Sequence, residues 1–377
     1  MFSFSTAGEI IFGSGSVTRL PALVSSLGER PFLVTGKNPD RHRKVLALLN
    51  DRGYEMKSVA VSREPVVEDL RVASEEARRA GADLVVGLGG GSVIDLAKAV
   101  AAMLTNEGEV SDYLEVVGKG LPLAESPRPC IAIPTTAGTG AEVTRNSVFA
   151  SREHGVKVSM RGPYLLPSVA LVDPELTVSV PPQIAAYTGM DALSQLIEAF
   201  VSRKANRFTD GLCRDGIPRA ARALPELFAN AFELPPREEM AYASLLSGLA
   251  LGNAGLGAVH GLAGPLGGMI PIPHGAACAR LLPPVMRFNL DEMGALPEKA
   301  DELAKLLTGD EAARTEDGIR FVEELGKTLQ IPPLSAYGLS EDRLGELIEK
   351  SLVASSMKGN PVDCSEEALE RILRQAL

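Results

Sequence analysis

The chain has 377 residues, 45% of them apolar, and a formal net charge of −10. That length suits about two domains with sizeable cores, and the acidic balance argues against nucleic acid or an anionic membrane surface as a partner. No apolar run reaches membrane-spanning length, and the segment Met1–Val17 lacks the basic-then-apolar layout of a signal peptide.

The opening segment alternates like a strand, and short apolar runs and helical patterns then follow in turn. Strands are expected at Pro31–Thr35, Lys57–Val61, Asp83–Leu88, Pro129–Ile133 and Val169–Val172, with helices around Arg41–Arg52, Val67–Ala80 and Val93–Leu104. This alternation predicts βαβ units and a mostly parallel sheet covered on both faces. The pattern changes after Asp173, in the proline-rich DPELTVSVPPQ. From there the apolar spacing is helical almost throughout, with Gln183–Arg203, Glu238–Leu251, Pro297–Leu307, Asp317–Leu329 and Ser340–Ala354 expected as helices. The predicted architecture is an α/β Rossmann-like domain over residues 1–177 and an all-α domain over 178–377. Cys130, Cys213, Cys278 and Cys364 include no CxxC pair and suit reduced thiols in a cytoplasmic protein.

Three stretches carry candidate chemistry. In Leu84–Lys98 (LVVGLGGGSVIDLAK) a strand, three glycines and a serine precede a helix. Glycine lets the backbone approach a ligand closely, and the helix N-terminus offers N–H groups to an anion such as a pyrophosphate. The run is neither a GxGxxG fingerprint nor a GKS/GKT loop, and a tight glycine turn is the alternative. Pro134–Thr144 (PTTAGTGAEVT) also follows a strand, and the hydroxyls of Thr135, Thr136 and Thr139 can bond a ribose, phosphate or carboxamide. Two such loops at the carboxyl ends of parallel strands suggest a shared ligand.

The third stretch pairs GMDALSQLIEAF with the glycine-rich Gly252–Ala279. The chain has only four histidines, and His260 and His274 both fall in that apolar run. Asp191 and Gln195 stand at i and i+4 and share one helix face. Two imidazoles, a carboxylate and an amide oxygen are a donor set for one divalent ion. Taken singly, each also suits a cap or a salt bridge.

GGGSVIDLAK, PTTAGTGAEVT, GMDALSQLIEAF and HGLAGPLGGMIPIPHG, in this order and spacing, resemble the iron-containing (group III) alcohol dehydrogenase family over essentially the whole chain. The resemblance implies a Rossmann-like nucleotide domain, a helical domain and an active site in the cleft between them. It places Gly90, Gly91 and Ser92 on the pyrophosphate, and Asp95, Thr135, Thr139, Thr144 and Lys157 (in HGVKVSM) along the rest of the cofactor groove. It places the metal ligands at Asp191, Gln195, His260 and His274, with Asp191 and His274 central to catalysis. The implied reaction is hydride transfer between NAD(P) and a small alcohol or aldehyde, with a divalent metal, iron or zinc, polarising the substrate oxygen. A homodimer is a family-level expectation.

Two positions depart from the family pattern. Gln195 stands where the family has a histidine, trading a nitrogen donor for a harder oxygen. Gly264 stands where a further histidine is usual. Cofactor choice turns on the end of the first βαβ strand, where an acidic residue in this family favours NAD. Here Gly36 is followed by Lys37, Asn38 and then Arg41, His42 and Arg43, which favours NADP over NAD unless Asp40 turns inward. The alternatives are a metal-free enzyme of the maleylacetate reductase kind and a lyase resembling dehydroquinate synthase.

Overall fold

A computed structural model describes residues 1–54, 56–151, 153, 156–292 and 297–377. The described chain divides into two compact units. One comprises Ser5–Thr136 with Gly140–Val180, and the other Met1–Phe4, Ala137–Thr139 and Pro181–Leu377.

The first unit is an α/β layer structure. In chain order it contains β1 (Glu9–Phe12), α1 (Leu20–Leu27), β2 (Pro31–Gly36), α2 (Arg43–Asn50), β3 (Lys57–Val61), α3 (Val67–Arg79), β4 (Leu84–Gly89), α4 (Gly91–Met103), β5 (Cys130–Pro134), β6 (Asn146–Ser151), β7 (Val156–Arg161) and β8 (Val169–Val172). Six strands form one sheet in the order β1-β8-β5-β4-β2-β3, with every pairing parallel. The side-chain period of two explains how both faces are filled. Leu33, Leu84, Val86 and Leu88 join residues of α1 and α2 in one buried cluster. Phe32, Val34 and Val85 join α3 and α4 in another. The chain adds β3 on one side of β2 and β4 on the other, so the direction of winding reverses between β2 and β4. Such a switch point is where doubly wound sheets bind ligands, beyond the carboxyl ends of the strands.

The second unit is helical: α5 (Pro182–Val201), α6 (Arg207–Ala229), α7 (Leu234–Ala254), α8 (Ala258–Met269), α9 (His274–Glu292), α10 (Pro297–Thr308), α11 (Thr315–Thr328), α12 (Leu344–Leu352) and α13 (Glu366–Ala376). α5 is buried without interruption from Gly189 to Val201 and packs against α6, α7 and α9. Among the described residues no single helix is long and apolar enough to cross a membrane.

The structure sharpens several expected elements. Only Glu9–Phe12 of the alternating opening segment is a strand. The helix expected at Arg41–Arg52 begins as a 3-10 turn over Pro39–His42 and becomes α-helical at Arg43. α7 starts four residues before the expected Glu238, because Pro235 and Pro236 occupy the first turn, where a missing N–H is harmless. The β6–β7 hairpin was not expected; it is antiparallel and lies outside the main sheet.

Candidate active site

The carboxyl ends of β2, β4 and β5 bring the expected nucleotide loops together. Thr35 pairs with Leu88, and Gly89 with Pro134. Gly36, the glycine turn and Thr135–Thr136 therefore leave the sheet side by side. Gly90 is the N-cap of α4, and Gly91 and Ser92 open its first turn, where N–H groups lack carbonyl partners within the helix. A Cβ on Gly89 would lie 2.5 Å from Val93 Cγ2, so only glycine admits this tight strand-to-helix turn. Thr135 N–H donates to Gly89 O at 2.9 Å, and Thr136 Oγ1 would stand 3.3 Å from a Cβ on Gly90. Thr139 groups with the helical unit. At Gly36 an added Cβ would meet nothing within 4 Å, and Lys37, Asp40, Arg41 and Arg43 are exposed.

Asp95 and Thr144 are bound inward, to a residue the sequence reading passed over. The fully buried Lys98 donates from Nζ to Ala141 O at 2.9 Å, to Thr144 Oγ1 at 3.3 Å and to Asp95 Oδ1 at 3.5 Å. Asp95 Oδ2 also accepts from Val148 N–H at 3.1 Å. Burial pushes the Lys98 ammonium below its usual range, against the pull of Asp95. Burial likewise raises the Asp95 carboxyl and takes Glu142 up to about 7. Lys98 thus ties the loop after β5 to the helix after β4. Lys157, on β7, pairs with Glu64 at 2.7 Å; His154 and Gly155 of its motif lie outside the described residues.

Three expected metal ligands converge within the helical unit. Asp191 projects from the buried middle of α5, His260 from the first turn of α8, and His274 is the first residue of α9. His260 Nε2 is 3.1 Å from Asp191 Oδ1, and His274 Nε2 is 3.9 Å from the same oxygen. The α9 start is packed hard on α5: a Cβ on Gly275 would fall 2.1 Å from Tyr187 O. Gln195 is buried one turn beyond Asp191, and its Oε1 accepts from the Ser247 hydroxyl at 2.7 Å. At Gly264, where the family's further histidine is absent, an added Cβ would meet nothing within 4 Å.

Two residues that the sequence reading did not assign to the site complete this cluster. Glu198 Oε2 lies 2.5 Å from His260 Nδ1, and its Oε1 accepts from Val259 N–H at 2.7 Å. One carboxylate therefore caps the start of α8 and orients the imidazole that α8 carries. Cys278, one turn after His274, places Sγ 3.6 Å from His274 Nε2 and 3.7 Å from His260 Nε2. A signal existed for both. Glu198 is at i+7 from Asp191 on the α5 face that already carried Asp191 and Gln195, and Cys278 is at i+4 from His274. One donor atom each from Asp191, His260, His274 and Cys278 lies within 4.8 Å of every other.

The electrostatics of this cluster favour positive charge. Burial opposes ionisation of Asp191, but His274 and His260 outweigh it and hold the carboxyl below its usual range. Burial would also lower His260, yet Cys278, Glu198 and Asp191 raise it well above an ordinary histidine. Burial pushes the Cys278 thiol up to about 12. The Glu198 carboxylate on Nδ1 favours the tautomer in which Nε2, beside Asp191, can face an ion.

The family model for iron-containing alcohol dehydrogenase matches residues 7–174, and that for the C-terminal part of the same family matches residues 185–377. The chain belongs to the iron-containing alcohol dehydrogenase family. The chain is 35% identical over 392 residues to the 1,3-propanediol dehydrogenase of Klebsiella pneumoniae, an alignment covering 100% of this chain and 99% of the relative. A crystal structure of 1,3-propanediol oxidoreductase superposes with a TM-score of 0.93 at 34% identity, covering 100% of both chains. Sulfoacetaldehyde reductase from Bifidobacterium kashiwanohense, solved in complex with NAD+, does so with a TM-score of 0.90 at 29% identity, over 100% of this chain and 98% of that one. The enzyme is an oxidoreductase acting on CH–OH groups, and its family implies a nicotinamide cofactor and a divalent metal.

Proposed function

We propose that residues 1–177 bind the nicotinamide nucleotide and that residues 178–377 hold the divalent ion and a small alcohol or aldehyde. The observation that carries this reading is the convergence of Asp191, His260 and His274, backed by Glu198 on the far nitrogen of His260. When bound, the ion would act as a Lewis acid on the substrate oxygen, and the nicotinamide would supply or accept the hydride. The residues of the chain hold these groups. Glu198 keeps the proton of His260 on Nδ1 and leaves Nε2 facing Asp191. Gly90, Gly91 and Ser92 present the N-terminus of α4 to the pyrophosphate. Thr135, Thr136 and Thr139 supply hydroxyls, Lys157 a nearby cation, and Asp95 and Thr144 stay fixed through Lys98. The fourth protein donor to the ion is Gln195 or Cys278.

Metal content tests the reading. Protein purified without oxygen, affinity metal or chelator is expected to carry near-stoichiometric iron or zinc, and chelation is expected to remove metal and turnover together. Less than roughly a tenth of an equivalent with activity intact would overturn it, and would favour a metal-free reductase of the maleylacetate reductase kind. Turnover without net consumption of nicotinamide would favour the lyase alternative.

NADP(H) is the cofactor we favour. The end of β2 carries no carboxylate for a ribose 2′-hydroxyl, and Lys37, Arg41 and Arg43 are exposed beside it. An aspartate at position 36 has open space for its Cβ. Gly36→Asp is therefore expected to shift the ratio of kcat/KM values towards NAD by about tenfold, the equivalent of one charged hydrogen bond gained or lost. An unchanged ratio would show that the 2′ position is read elsewhere. The four cysteines are unpaired, as suits a cytoplasmic enzyme. The homodimer expected from the family is read by light scattering.

A further inference from the structure

We propose that Cys278, not Gln195, is the fourth protein ligand, so that this enzyme holds its ion with a carboxylate, two imidazoles and a thiolate. The inference rests on the metal reading above and concerns which of two buried side chains completes the set.

Cys278 and His274 stand at i and i+4 on α9, so the helix presents both to the same point. Cys278 is fully buried. Its Sγ faces the same Nε2 atoms that face Asp191, at 3.6 Å from His274 and 3.7 Å from His260. Donors sharing one ion at about 2.3 Å for sulfur and about 2.0–2.1 Å for nitrogen would sit about 3.5 Å apart at near-tetrahedral angles, the substrate oxygen then entering as a fifth donor. The Sγ–Nε2 spacings match that figure closely, while the Asp191–His260 and Asp191–His274 spacings of 3.1 and 3.9 Å bracket the corresponding value for light donors. Gln195 Oε1 accepts from the Ser247 hydroxyl at 2.7 Å, which leaves it one lone pair for an ion, whereas Cys278 Sγ faces the two imidazoles of the site.

The proton balance is simple. Binding a divalent ion would release two protons to solvent: that of the Cys278 thiol, because a coordinated thiol is held as thiolate, and one from His260, whose Nε2 must be free to ligate. The carboxylate of Asp191 and the thiolate then neutralise the dication, with both imidazoles uncharged. The consequence for metal choice reverses the one drawn from Gln195 alone. An amide oxygen favours harder ions, whereas a thiolate favours softer ones such as zinc or cobalt(II).

Full-length protein stripped by chelation and reloaded with cobalt(II) under anaerobic conditions tests this directly. A sulfur-to-cobalt charge-transfer absorption in the near ultraviolet is expected in the unmodified protein and in Gln195→Ala. It is expected to vanish in Cys278→Ala, where cobalt binding should weaken by more than the roughly 10- to 100-fold that an outer hydrogen-bond partner is worth. Stoichiometric cobalt without the sulfur band would overturn the thiolate ligand and leave the metal reading standing. Failure to bind cobalt at all would overturn both. Should Cys278→Ala not fold, the spectrum of the unmodified protein decides alone. Loss of cobalt from Gln195→Ala with retention in Cys278→Ala would hand the position to the amide.

Discussion

His274→Ala is expected to lower kcat/KM by about three orders of magnitude while leaving nicotinamide nucleotide affinity essentially unchanged. Loss of Lewis-acid assistance is worth several kcal/mol, and each ~1.4 kcal/mol is a factor of ten in rate. The substitution is mild for the fold. His274 is the first residue of α9, its side chain is 35% exposed, and the helix start is held by backbone bonds from Ala276 and Ala277 to Pro273 O. The glycine turn and Thr135–Thr136, proposed to bind the nucleotide, belong to the other unit, at the ends of β4 and β5; only Ala137–Thr139 of these loops groups with the helical unit. Steady-state kinetics beside a fluorescence titration with NAD(P)H separates the two effects. Parallel loss of turnover and nucleotide affinity would mean that the substitution had collapsed the protein, and the role assigned to His274 would fall.

Glu198→Gln is expected to weaken metal binding by about 10- to 100-fold, the usual worth of the partner that orients a metal-binding histidine. Glutamine keeps the volume and one carbonyl oxygen, so Val259 N–H at the start of α8 retains an acceptor. The variant removes the negative charge 2.5 Å from His260 Nδ1, and with it the basicity that charge lends to Nε2. Competition titration against a chelator gives the affinity, and a circular dichroism melt reports whether α8 is still anchored. An unchanged metal affinity would reduce Glu198 to a helix cap.

The α/β unit is the more readable part, because its signals are local. Leu84–Gly89 is apolar throughout, with no polar alternation, because both faces of β4 are covered. The glycine turn that follows it marks a strand-to-helix junction within a few residues. The face shared by Asp191 and Gln195 was equally local, a matter of one helical turn. The glycine-rich segment around His260 reads only as an apolar run, because Gly261, Gly264, Pro265, Gly267 and Gly268 conceal a helix there. α8 forms against its own propensity because packing in the helical unit outweighs the roughly 1 kcal/mol that each interior glycine costs.

What tertiary structure alone decided are the pairings between distant residues. Glu198 and His260 are 62 positions apart, Cys278 and His260 are 18 apart, and Lys98 and Thr144 are 46 apart. Spacing puts Glu198 on the α5 face of Asp191, but it does not say which imidazole that glutamate will meet. That meeting is set by how α5, α8 and α9 pack, and by how closely Gly275 lets the start of α9 approach Tyr187. The sequence by itself determined the family, the two kinds of layer and the residue types able to bind an ion and a nucleotide, since these depend on local periodicity and turn chemistry. Only the tertiary structure decided which buried groups face one another across the cluster. A side chain's partners follow from packing in three dimensions, and so does its charge state.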